Sequence, residues 1–76
     1  MQFKVGAKQT TKMLEQEKAI EVYVARDADP RMIEKIVHLC ERLSVPMKWT
    51  DTMQELGETC GIDVGAAMAA LIPDEE

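Results

Sequence analysis

The spacing of apolar positions changes several times along the chain, and each change marks an element. Phe3 and Val5 flank Lys4 in a short strand over residues 3–5, cut by Gly6. Residues 8–17 are helix formers, with Met13 and Leu14 as the inward pair and Thr11, Glu15 and Lys18 outward. Residues 20–25 are β-branched and alternating, a strand with Ile20, Val22 and Val24 on one face. Asp29 is a good N-cap and Pro30 a good first helical residue, so a helix runs from there to about Leu43. Ile33, Ile36, Val37, Cys40 and Leu43 form its apolar stripe, widened by Met32 and Leu39. Residues 45–49 form a third strand, opened by Pro46. Thr52 and Glu55 have the spacing of a capping box, with Met53 and Leu56 facing inward on the short helix that follows. Gly57 weakens the middle of that helix, and Gly61 is placed to stop it. Residues 62–65 form a loop that sets Ile62 and Val64 between glycines.

One segment is ambiguous. In residues 66–72 the alanines favour helix, whereas the length suits a buried strand with close neighbours. Read as a strand, it completes a β-α-β-α-β-α-β order and an α/β layered domain with a small, largely buried sheet. The chain is then a single domain over residues 1–73, followed by a disordered acidic tail, residues 74–76.

At 76 residues the chain removes only about 60% of its unfolded surface from water, so its core is small. No apolar run approaches the roughly 20 residues that span a bilayer, and the first residues lack the apolar stretch of a secretion signal. Cys40 and Cys60 have neither a disulfide framework nor a metal spacing, and are expected to be reduced, buried and cytoplasmic.

Charge changes the picture more. The net charge of −5 argues against indiscriminate nucleic-acid binding. Residues 1–14, however, hold Lys4, Lys8 and Lys12 and no acid, a local +3, which leaves −8 for the remainder. Lys8 and Lys12 are four apart, and Gln9 and Lys12 three apart, so on a helix the three share one face. Beside the free N–H groups of a helix start, they suit a ligand bearing phosphates and base edges. The competing account is an ordinary solvated face, since cations there oppose the helix dipole.

Catalytic patterns are missing. The chain has no dinucleotide-binding glycine motif, P-loop or zinc-protease motif. His38 and Cys40 are neighbours on one helix and point apart. Asp27 and Asp29 straddle a turn, where capping explains them better than a metal. Neither enzyme nor cofactor is expected, and a binding function is favoured.

Three segments together resemble one family. They are Val5-Gly6-Ala7-Lys8-Gln9-Thr10-Thr11-Lys12, Val24-Ala25-Arg26-Asp27-Ala28-Asp29-Pro30, and Glu55-Leu56-Gly57-Glu58-Thr59-Cys60-Gly61-Ile62-Asp63-Val64-Gly65-Ala66-Ala67. Their order and spacing are similar to the kink-turn RNA-binding ribosomal protein superfamily, that of ribosomal protein L-seven-Ae, and most of all to its small bacterial members. The resemblance implies a three-layer α/β/α sandwich with a four-stranded mixed sheet. It also implies a kink-turn ligand, an RNA helix–bulge–helix with tandem sheared G·A pairs in ribosomal or riboswitch-type RNA. Carried over by position, Gly6 would permit close backbone approach, Lys8 and Gln9 would meet guanine edges, and Lys12 guanine or phosphate. Ile62, Asp63 and Val64 would lie against the looped-out nucleotide. A core role for Ile62 and Val64 remains the alternative. Asp27 would support the lysines without touching RNA. The protein would be cytoplasmic, a monomer when free, with the ribosome as a further partner.

Three departures from the family pattern stand out. Glu58 occupies a helix position where many relatives carry lysine, no helix precedes the first strand, and the C-terminal helix of longer relatives is missing. They motivate a second expectation, an acidic protein–protein adaptor that keeps the fold without binding RNA.

Overall fold

Seven elements follow one another in the computed structural model, which describes residues 1–74. They are β1 (Gln2–Val5), α1 (Ala7–Glu15), β2 (Glu21–Ala25), α2 (Pro30–Leu43), β3 (Met47–Thr50), α3 (Met53–Cys60) and β4 (Met68–Ile72). The ambiguous alanine-rich segment is therefore a strand. It lies in the middle of the sheet, whose order is β1-β4-β2-β3. A helix there would leave the inner edges of β1 and β2 without hydrogen-bond partners, a cost no helix propensity offsets. Ala69 and Ala70 are both fully buried, and their small side chains let layers close on either face.

β4 runs antiparallel to both neighbours, with Val5 opposite Ala69 and Val24 opposite Met68. β2 and β3 are parallel, with Val24 beside Trp49. Hence β1, β2 and β3 all point the same way, and each passes into a helix at the same rim of the sheet.

Alternation along the strands divides the core in two. On one face Met13 and Leu14 of α1 and Ile36 and Cys40 of α2 pack on Val22, Val24, Met68 and Ile72. On the other, Leu56 of α3 packs with Ala25, Ala28 and Ala66, and with the half-buried Val5, Tyr23 and Ile62. The architecture is the three-layer α/β/α sandwich with a mixed sheet. Phe3 meets Tyr23 edge-on at 5.5 Å between centroids, a favourable aromatic geometry. Among the described residues no helix is long and apolar enough to cross a membrane.

Local signals behave as their chemistry demands. Asp29 accepts from the Arg31 N–H at 2.8 Å, and Ser44 ends α2 in the left-handed conformation. Gly61 ends α3 with φ +77. Two inward assignments need correction. Ile20 precedes the paired register of β2 and stays 37% exposed. Met53, the first residue of α3, is also 37% exposed, because its turn stands at the rim beyond the cover of the sheet. Asp74 lies beside the Met1 ammonium at 2.8 Å, while Glu75 and Glu76 of the expected acidic tail fall outside the described residues.

Gly57 is more than a weak point in a helix. A Cβ on it would overlap the carbonyl oxygen of Val64 and crowd the Gly65 Cα at 3.3 Å. The missing side chain lets the loop of residues 61–67 lie directly on α3. At an open helix position Gly→Ala would stabilise by about 1 kcal/mol. Here Gly57→Ala should instead destabilise by about 1–3 kcal/mol, through overpacking against backbone that cannot yield cheaply. The urea midpoint tests the sign, and a rise would show that the loop is free to move away.

Candidate nucleic-acid interface

The rim where β1, β2 and β3 end carries every sequence-predicted site residue. Backbone bonds tie it together: the Gly6 N–H donates to the Met68 carbonyl at 2.9 Å, Ala25 to Ala67 at 2.9 Å, and Arg26 to Thr50 at 2.8 Å. Residues 67 and 68 thus lie between the start of α1 and the end of β2. The loop before them emerges one strand spacing, about 5 Å, from Gly6.

Three helices begin at this rim, and their first turns are satisfied differently. At α2, Asp29 caps and Pro30 has no N–H to satisfy. At α3, Thr52 Oγ1 accepts from the Glu55 N–H at 3.1 Å. The reciprocal bond from the Thr52 N–H to the Glu55 carboxylate is not found among the described residues, and Asp27, 26 positions away, accepts from the Met53 N–H at 2.8 Å. Asp27 therefore ties the β2–α2 turn to α3, a support role at a different place from the lysines.

The start of α1 has no such partner. Gly6 is its N-cap, with no side-chain hydrogen bond, and the first turn contains no acid. The first-turn N–H groups precede the earliest intrahelical bond, from the Thr10 N–H to the Gly6 carbonyl at 2.9 Å. Gly6 has φ +101, a conformation that disfavours any L side chain, and the space where a Cβ would stand is open. Lys8, Gln9 and Lys12 are all exposed, and neither lysine enters an ion pair among the described residues. A cation beside the positive helix end costs about 0.3–1 kcal/mol, so Lys8 in the first turn does not serve stability, whereas Lys12 stands in the last turn.

The loop contributes unevenly. Ile62 is half-buried against the Leu56 cluster and mainly anchors the loop. Asp63 is exposed, and Val64 is 70% exposed. Gly65 lies against Met53, whose Cβ would stand 3.3 Å from a Cβ built at that glycine. A shallow pocket between loop and helix is lined by Met53, Val64 and the carboxylate-bearing Asp27, Glu58 and Asp63. The rim is thus electrically divided, basic at α1 and acidic beside α3.

Sequence reasoning missed Met53, Arg26 and Trp49 on this rim. A count of apolar spacing could not place Met53 outward, because only the sheet's edge decides where its cover ends. Cys40 and Cys60 both have thiols pushed up by burial, which keeps them protonated near neutral pH. His38 is exposed while Cys40 is buried, so the two point apart. Among the described residues no cluster of His, Cys, Asp and Glu side chains is suited to a metal ion.

Known proteins are similar to this chain in sequence and fold. The RNA-binding protein BH0128 of Halalkalibacterium halodurans is 48% identical over 67 residues, which cover 88% of this chain and 82% of that protein. The RNA-binding protein TTE2299 of Caldanaerobacter subterraneus subsp. tengcongensis is 50% identical over 66 residues, 87% of this chain and 80% of its own. Among solved structures, the Giardia lamblia 15.5kD RNA binding protein superposes with a TM-score of 0.88 at 28% identity. The match covers 97% of this chain but only 62% of that protein's length. The sequence profile of the Ribosomal protein L7Ae/L30e/S12e/Gadd45 family matches residues 1–76. On that match, and on relatives this similar over most of their length, the chain belongs to the Ribosomal protein L7Ae/L30e/S12e/Gadd45 family.

Proposed function

We propose that the rim binds RNA, and that its ligand is a kink-turn with tandem sheared G·A pairs. The observation that carries this reading is the start of α1, the one helix start at the rim left uncapped among the described residues, with Lys8, Gln9 and Lys12 exposed on the same helix. Relatives named as RNA-binding proteins support the class of ligand.

In this mechanism the α1 start enters the groove at the G·A pairs. Lys8 and Gln9 donate to guanine edges, Lys12 reaches guanine or phosphate, and Gly6 lets backbone approach closely. Asp63 and Val64 offer the looped-out nucleotide backbone groups and an apolar surface, while Ile62 holds the loop in place. Glu58 and Asp63 repel phosphate there, so the contact is made to bases. Binding favours the bent RNA over the open form by differential affinity. The protein acts without cofactor in the cytoplasm, as a monomer when free, on ribosomal or riboswitch-type RNA.

The acidic adaptor reading is favoured by one observation, the convergence of Glu58 with Asp27 and Asp63 on one pocket. Under that reading protein partners survive RNase treatment in a pull-down, and no RNA duplex binds.

Gel shifts decide between them. A kink-turn duplex should bind, and replacing its G·A pairs with Watson–Crick pairs should abolish the shift; equal binding to the two sinks the kink-turn reading. Lys8→Ala and Lys12→Ala should each cost about 1–3 kcal/mol of binding where they reach base edges. Glu58→Lys should tighten binding by roughly 0.5–2 kcal/mol, more at low salt, as repulsion becomes attraction. An unchanged affinity would place Glu58 outside the footprint.

A further inference from the structure

Five large hydrophobic side chains stand exposed among the described residues, and three of them, Trp49, Met53 and Val64, belong to the rim. Val64 and Met53 flank the loop pocket already described. Trp49 lies further out, on β3, which pairs only with β2 and so forms an edge of the sheet. It is 41% exposed, and the Arg26 guanidinium lies over its ring at 5.2 Å from the centroid. Asp51 holds that guanidinium from the side, with Arg26 Nε 3.6 Å from its Oδ1. The bond from the Arg26 N–H to the Thr50 carbonyl fixes the two backbones side by side.

Resting on the RNA-binding reading, we propose that Arg26 and Trp49 form a second contact, a stacking platform for an unpaired nucleobase of the RNA held at α1. Two planar groups, one aromatic and one guanidinium, are the surfaces on which unpaired bases stack. Charge selects the base over the phosphate. Arg26 carries +1 while the adjacent Asp27 and Asp51 carry −2, so the neighbourhood repels a phosphate or an acidic peptide and leaves a neutral base unopposed. Position supplies continuity. Gly65 touches Met53, Met53 is bonded to Asp27, and Asp27 follows Arg26 in the chain. Trp49 pairs with Val24, whose side chain packs under α1 and α2, so the ring stands on the same face of the sheet as α1, three strand spacings, about 14 Å, from the end of β1. The platform lengthens the footprint by a sequence-tolerant contact and, with Asp27 and Asp51 beside Arg26, adds no net positive charge to it.

Trp49 is the only tryptophan, so its emission reports this contact alone. The full chain is titrated with two end-labelled kink-turn duplexes, one blunt and one with a short unpaired adenosine extension beside the bulge. Anisotropy reads RNA binding, and tryptophan emission reads stacking. The extended RNA should quench Trp49, and the blunt one should leave it near its free value. Trp49→Ala and Arg26→Ala should weaken binding of the extended RNA about tenfold and leave the blunt RNA unaffected, while Trp49→Phe stays within about threefold of the parent. The salt slope of Trp49→Ala should match the parent, whereas Lys8→Ala should lower it by just under one. Binding of both RNAs with unchanged emission and parental affinity in the variants overturns the platform and leaves the RNA reading intact. Failure of both RNAs to bind overturns the RNA reading and the platform with it.

Discussion

β4 is hydrogen-bonded on both edges, and the rest of the molecule is arranged by that pairing. Its antiparallel course between β1 and β2 forces β1, β2 and β3 to run together and to end at one rim. Three helices must then begin there, because each forward strand is followed directly by one. The register places the loop before β4 next to the start of α1. Basic helix start and apolar loop, more than 50 positions apart in the chain, become neighbours for no reason but strand pairing. The alanines of β4 make this possible, since bulkier residues would hold off the layers on either face.

The rim also shows where stability has been set aside. α2 and α3 have capped first turns, one through Asp29, the other through Thr52 and Asp27. α1 has a glycine with positive φ, no acid in its first turn and Lys8 within it. A few tenths to 1 kcal/mol is lost for that cation, in a domain small enough for that to matter. An anionic ligand reverses the sign of that term. On the other side of the rim, the carboxylates of Asp27, Glu58 and Asp63 disfavour phosphate and leave neutral surfaces for bases. In the proposed mode of binding, selectivity comes from shape and base edges.

Much of this was legible in the residues. The alternating β2, the Asp29–Pro30 helix start and the Gly61 stop depend on local chemistry, and local chemistry is written in sequence. Lys8, Gln9 and Lys12 were legible as one helix face because their spacing alone requires it. The alanine-rich segment stayed undecided because alanine fits helix and crowded strand alike, and only the unpaired edges of β1 and β2 choose between them. Met53 and Ile62 were misjudged or left open for a related reason: the edge of a layer is a tertiary fact. Gly57 looked like a defect until the Val64 carbonyl was found against it. The Arg26–Trp49 stack joins residues 23 positions apart, and no periodicity announces it.

The central claim is that RNA lies on the rim, against the uncapped start of α1. Amide chemical shifts of isotopically labelled protein, followed as kink-turn RNA is added, test it most directly. The account predicts the largest changes at Ala7, Lys8 and Gln9, with a second set at Asp63, Val64 and Gly65, and little change on the outer face of α2 at Glu34 and His38. Changes centred on α2, or at the opposite end of the sheet around Glu17 and Ile20, with the α1 amides unmoved, would contradict it.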